Sequence, residues 1–156
     1  MIGRFDSLNS DITKIITKIF DSPDLCKFIY YDNPDPLSQP DFDTYELMYS
    51  NLYPYSYNID ENTEANNYLT VEFSDFKLLN NCFKAGKILI NIIIPKSNMR
   101  TDYGLRYYCI ANYIDSLYND QFLSGVGKIK FDSMGRLFVD KNYSGIYLLY
   151  DITQFN

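Results

Sequence analysis

Histidine and tryptophan are absent from this chain. Without histidine there is no His-based triad, no member of the commonest zinc-ligand type and no general base with an ordinary pKa near neutrality. Cysteine is sparse: Cys26, Cys82 and Cys109 are odd in number, far apart and free of CxxC spacing. They predict reduced, mostly buried thiols in a protein made in the cytosol, not a disulfide framework. Long apolar runs are also missing. The longest, Ile88–Ile94, is interrupted by Asn91 and is far too short to cross a bilayer. The N-terminus lacks an apolar signal segment after a basic start, so the expectation is a soluble protein with no membrane partner. A glycine-rich phosphate cradle is only hinted at by Gly125-Val126-Gly127-Lys128-Ile129. Phe122 stands where the earlier glycine belongs and Ile129 where a Ser or Thr must meet magnesium, so the segment reads as a turn entering a strand. Asn58, Asp60 and Asn62 have the alternate spacing of a calcium loop. Thr63 and Leu69 occupy its glycine and bidentate-glutamate positions, and the match fails. Asn142-Tyr143-Ser144 is a glycosylation sequon that would stay idle without secretion. The expectation from these absences is no catalytic residue, no metal, no cofactor and no enzymatic activity.

What is present is length, tyrosine and a charge polarity. A chain of 156 residues is one domain's worth and can bury a real core. It carries 16 Tyr and 11 Phe. Tyrosine brings apolar area with a polar tip and serves cores and interfaces alike; Asn/Ile/Lys/Tyr-heavy usage is equally what an AT-rich genome encodes. Residues 1–75 hold 14 acidic and 4 basic groups, while residues 76–156 hold 6 acidic and 10 basic groups. That division argues against general or sequence-specific nucleic-acid binding, which needs a dominant basic surface. It suits a molecule that meets copies of itself head to tail.

Periodicity supplies the elements. Ser7 is placed to cap a helix over Leu8–Phe20, with Leu8, Ile12, Ile15, Ile16, Ile19 and Phe20 on its stripe and Asn9, Asp11, Lys14 and Lys18 towards water. Ser22-Pro23-Asp24 restarts helix, with Ser22 as cap. Three prolines make Asp32–Asp43 an extended crossing. Tyr45–Asn51 reads as one or two helical turns, and Leu52–Asn67 as an irregular loop, either an interface or partly disordered alone. Tyr68–Phe76 alternates as a strand. Gly86–Ile94 does so more strongly, with Ile88, Ile90, Ile92 and Ile94 on one face, as a central strand requires. A long connection around Asn80-Asn81 joins them. An amphipathic helix follows over Leu105–Tyr118, with Tyr107, Ile110, Ala111, Ile114, Leu117 and Tyr118 as its stripe. Gly125–Phe131 is the next strand, Asp132-Ser133-Met134-Gly135 a tight turn, and Arg136–Asp140 a returning strand. A turn at Asp140-Lys141-Asn142 precedes a last strand, Gly145–Thr153. The expected fold is α+β: an antiparallel or mixed sheet of about five strands with the N-terminal and central helices on one face. It forms a single domain over 1–156, made of a helical N-terminus at 7–30, a crossing at 32–67 and a sheet–helix–sheet core at 68–156.

Three groups of residues are candidates for function. Asp32, Asp35, Asp41 and Asp43 could form a divalent-ion site or an acidic docking patch, though a solvated loop explains them too. Lys84, Lys87, Lys96, Arg100 and Arg106 flank the central strand and helix, interleaved with aromatics. Such a pattern serves phosphate and base stacking, but an acidic protein neighbour fits it better here. Tyr53, Tyr55 and Tyr57 crowd the loop before the first strand.

The element order resembles the tail-terminator, or tail-completion, proteins of tailed bacteriophages. An amphipathic opening helix at Leu8–Phe20 is followed by a Pro-containing crossing. The hairpin Tyr68–Phe76 with Gly86–Ile94 then feeds the helix Leu105–Tyr118, and a closing β-meander reaches Asp151-Ile152-Thr153. The resemblance covers nearly the whole chain and rests on topology and size. It implies a virion protein without chemistry: a homo-oligomeric ring, commonly hexameric, at the head-proximal end of the tail. Such a ring caps tail-tube polymerisation and joins the head connector, with the tail-tube and connector proteins as partners and the genome passing through. In that family a sheet edge and loops meet the next subunit. Here those would be the Tyr53–Asn67 loop and the Lys77–Lys87 connection. The long Asp32–Asn67 stretch departs from the compact pattern and leaves a connector or stopper of the neck open. A small acidic phage protein that inhibits a host factor, with Asp32–Glu46 mimicking nucleic acid, is the alternative of another class.

Overall fold

Two short helices open the chain and a curled sheet closes it. The computed structural model describes residues 5–60, 63–79 and 83–155. Helix α1, Leu8–Phe20, buries Ile15, Ile16, Ile19 and Phe20. Helix α2, Pro23–Tyr30, begins on a proline whose fixed φ suits the first helical position, and buries Leu25, Cys26, Phe28 and Ile29. Neither Ser7 nor Ser22 makes the expected side-chain cap; Ser7 itself is already helical, with φ −85° and ψ −8°. Asp11 does not face water: it is buried, because it stands four residues before Ile15 on the stripe that continues to Ile19. The turn at Ser124–Gly125 lies over it, with Lys14 Nζ donating to the Ser124 carbonyl at 3.1 Å.

The Pro-rich crossing is extended as expected but firmly held. Tyr30 stacks on Phe42 at 4.2 Å, and the Tyr31 hydroxyl donates to the Pro40 carbonyl at 2.6 Å. Single 3₁₀ turns occupy Pro36–Ser38 and Thr44–Leu47.

The sheet has six strands in the order β1-β2-β3-β8-β7-β6: β1 Leu52–Tyr53, β2 Tyr68–Leu79, β3 Phe83–Pro95, β6 Phe122–Leu123, β7 Gly127–Leu137 and β8 Tyr143–Phe155. Two further short strands, β4 Arg100–Thr101 and β5 Gly104–Leu105, form their own hairpin before helix α3, Arg106–Tyr118. The β1–β2 pair is parallel and all others are antiparallel, so the sheet is mixed. β3 is central, paired along its length with β2 and β8, and Ile88, Ile90, Ile92 and Ile94 all point into the helix-covered core. Ile146, Leu148, Tyr150 and Ile152 of β8 share that face. Each fully buried aliphatic side chain contributes about 1.5–3 kcal/mol to folding.

Two expectations about turns fail. Residues 132–135 are not a turn: β7 runs through them, and a bulge between Phe131 and Ser133 absorbs the polar residues while pairing with β8 continues to Leu137. A bulge keeps a ladder intact where the alternation in sequence breaks, which is why the break looked like a turn. The connection between β2 and β3 is not a long loop either. Lys77 pairs with Ala85 and Leu79 with Phe83 beyond a second bulge at Asp75, whose φ is +57°.

Candidate functional site

The loop after β1 folds back over the face of the sheet opposite the helices. Tyr53 on β1 stacks on Tyr57 at 3.9 Å and 7°, and Tyr57 lies 5.4 Å from Tyr68. With Ile93 and Tyr143 they make a second, smaller core. Hydroxyls find backbone acceptors at its edges: Tyr53 donates to the Tyr49 carbonyl at 2.9 Å, and Tyr68 to Glu64 at 2.6 Å. Burial, with Tyr57 beside it, pushes the Tyr53 phenol up to about 12, and burial raises Tyr68 as well. Of the three tyrosines singled out from sequence, Tyr53 is therefore buried, Tyr57 half-buried, and only Tyr55, 49 % exposed, is displayed. Tyr45 and Tyr49, each 59 % exposed, join it at this end of the sheet. Tyr49, in the turn before β1, holds φ +61°, a left-handed conformation unusual for so bulky a residue, and its ring lies 6.3 Å from Tyr53 and 6.4 Å from Tyr55.

The basic rim does not hold together as a set. Lys96 and Arg100 are exposed. Lys87 is engaged on the sheet by Asp151 at 2.5 Å and Asp132 at 3.6 Å, and the Asp151 hydrogen bond raises its pKa. The backbone of Lys84 lies within β3, and its side chain falls outside the described residues. Arg106 is not on a rim at all: its exposure is 0 %. It sits one helical turn before Ile110 on the stripe Arg106–Ile110–Ile114–Tyr118, which turns it inward. Its guanidinium donates to three carbonyls, those of Asn98 at 2.8 Å, Phe28 at 2.8 Å and Asn33 at 2.6 Å. Burial lowers its pKa, and Asp32 opposes that shift. Around it, Asn98 donates to Asp32 and Asn67, and Asn67 to the Ile29 carbonyl at 3.0 Å. Burial raises the Asp32 carboxyl, with Arg106 pulling the other way. Arg106 thus pins α2 and the start of the crossing to α3.

The four aspartates do not converge. Asp35 accepts from the Tyr103 hydroxyl at 2.6 Å, Asp41 pairs with Lys27 at 2.9 Å, and Asp43 accepts from the Tyr45 amide at 3.1 Å. Among the described residues no three His, Cys, Asp or Glu side chains form a group able to hold a metal ion. Gly125 and Gly127, at φ +83° and +111°, turn the chain into β7, as the failed phosphate-loop match indicated. Cys26 is buried, donates to the Ile19 carbonyl at 3.1 Å, and has its pKa pushed up to about 12 by burial. Cys109 is half-buried, and Cys82 lies outside the described residues.

A surface absent from the expectations lies next to the tyrosine loop, since Leu137, Phe138 and Val139 face Tyr57 and Ile59 on one side and border a groove on the other. Between the first turn of α3 and the second half of β7 runs a groove of about 480 Å³, lined by Lys96, Tyr107, Tyr108, Met134, Arg136 and Phe138 among others. Phe138 is 83 % exposed, with the Arg136 guanidinium 5.6 Å from its ring centre. The signal was available in the sequence, but reading 132–135 as a turn put Met134 in that turn and only Arg136 on a strand.

The described residues define an α+β protein with a mixed six-stranded sheet, a tyrosine cover on the face without helices, and a groove beside Phe138 that borders that cover. The family model described as YomW matches residues 22–152, most of the chain, and the protein belongs to that family, which is phage-associated. No curated protein matches the chain.

Proposed function

We propose that this phage-region protein is a structural component of a phage or phage-like particle. It works as a homo-oligomeric ring at the head-proximal end of the tail, capping the tail tube and joining the head connector. The phage setting rests on the family. The single observation that carries the assembly role is that one chain displays two distinct surfaces of opposite charge with exposed aromatics: the acidic Asp41–Tyr49 segment before β1, and the groove with Lys96, Arg136 and Phe138 on its wall. Surfaces of that kind steer and orient copies or neighbours without any chemistry. The element order, helix, crossing, hairpin, helix and meander, supports the neck position. The site of action is then the virion, after synthesis in the bacterial host.

Sedimentation velocity with negative-stain imaging tests the reading. Rings that bind purified tail tubes or connectors are expected, and a strictly monomeric protein that joins neither would sink it. Arg100→Glu, at an exposed position on β4, is expected to spare the fold and weaken assembly. Unchanged ring formation would remove Arg100 from the interface.

A further inference from the structure

We infer that the groove between α3 and β7 docks the acidic, tyrosine-bearing Asp41–Tyr49 surface of a second copy of this chain, head to tail. The inference rests on the homo-oligomeric reading above and names its interface. The groove is basic and apolar together. Lys96 and Arg136 line it, with Asp140 the one carboxylate on its wall, and Tyr108, Met134 and Phe138 expose 48 %, 47 % and 83 % of their surface. Contiguous exposed apolar area of this kind marks an interaction site.

β7 is also open along this stretch. The amides of Ile129 and Phe131 are taken by the Gln121 carbonyl and the Asn119 side chain. β6 pairs only with Gly127 and Lys128. By the alternation of an antiparallel ladder, the backbone groups of Met134 and Arg136 point away from β8, at an edge no described strand covers.

The complement is on the same chain. No Lys or Arg occurs between Lys27 and Lys77, while ten acidic residues do. Within that span Asp41, Asp43, Glu46, Tyr45 and Tyr49 are all exposed. Tyr49 leaves more than half of its surface exposed beside Tyr55, which extends the aromatic part of this surface. This surface precedes β1 and shares no residue with the groove, which is lined by β7, the start of β8 and the first turn of α3. Each copy therefore uses each surface once. A heterologous contact of that sort closes into a ring if the rotation closes.

Charge reversal in the full-length chain tests the pairing by sedimentation velocity across a concentration series, with circular dichroism to verify folding. Arg136→Glu and Glu46→Lys are each expected to weaken self-association at least tenfold. An equimolar mixture of the two, or the doubly substituted chain, is expected to recover it, since the reversed charges again face each other across copies. Single variants that associate like the unmodified chain overturn the assignment, give the groove to another partner, and leave the oligomeric reading standing. Failure of the reversal to restore association also overturns it. An unmodified chain that stays monomeric at every concentration overturns both readings.

Discussion

Replacing Arg106 by methionine keeps most of the side chain's length and apolar stem but removes every donor. The wild-type guanidinium makes three hydrogen bonds of 2.6–2.8 Å to the Asn98, Phe28 and Asn33 carbonyls from a position of 0 % exposure. Charge-assisted bonds are worth about 1.5–3 kcal/mol each, and a buried acceptor left unpaired costs about 1–3 kcal/mol. The sum overshoots, because methionine relieves the desolvation of a buried charge and water can reach the Asn33 carbonyl, which is only part-buried. A net loss of about 3–5 kcal/mol is the working value for removing one partner of a buried charged network. Against a total stability of about 5–15 kcal/mol, that leaves a folded but weakened protein. Arg106→Lys should fall between, since one ammonium reaches fewer than three carbonyls spread over a fork. Equilibrium urea unfolding reads the difference, with Lys141→Met as an exposed control expected within about 0.5 kcal/mol of wild type. An Arg106→Met chain as stable as that control would refute the pinning role, and with it the account of how the crossing is held.

Ile92→Asp should abolish folding, because β3 is central and the site is 0 % exposed, leaving a carboxylate unpaired in the core; soluble, oligomeric protein with native circular dichroism would contradict that. The hydrogen bond from Tyr103 holds the Asp35 carboxyl below its ordinary value, so its stabilisation is present above the unfolded pKa and is lost as pH falls through the lower folded one. The stability gap between wild type and Asp35→Asn, from urea midpoints, should accordingly be level near neutrality and shrink in acid; a gap independent of pH would exclude the linkage. With a pKa of about 12, the Cys26 thiol is ionised in only roughly one molecule in ten thousand at pH 8. Mass spectrometry after alkylation should find Cys26 modified only when denaturant is present, and labelling in the native protein would show that its burial is not maintained.

Much of the core was legible because local pattern and tertiary demand agree there. The isoleucine ladder of β3, the helix over Leu8–Phe20 and the alternation of Ile146–Ile152 face the core as their periodicity indicates. The misreadings occur where charge and pattern disagree. Asp11 and Arg106 both occupy apolar stripes at four-residue spacing, and their polarity was given more weight than their position. Met134 was read into a turn where the chain has a bulge between Phe131 and Ser133 and continues as strand. Tyr53 and Tyr57 were read as displayed, but a sheet face without helices needs a cover, and stacked tyrosines provide it.

The sequence by itself determined the α+β class, the central strand, the order of the main elements and the division of charge, since each depends on residues near one another in the chain. Only the tertiary structure decided which charged groups are available. Arg106 turned inward because three carbonyls from distant segments converge on it, and the Asp35 and Asp41 carboxylates dispersed to separate partners. The groove beside Phe138 likewise exists only because packing brings the first turn of α3 beside the second half of β7 and the start of β8, segments that lie apart in the chain.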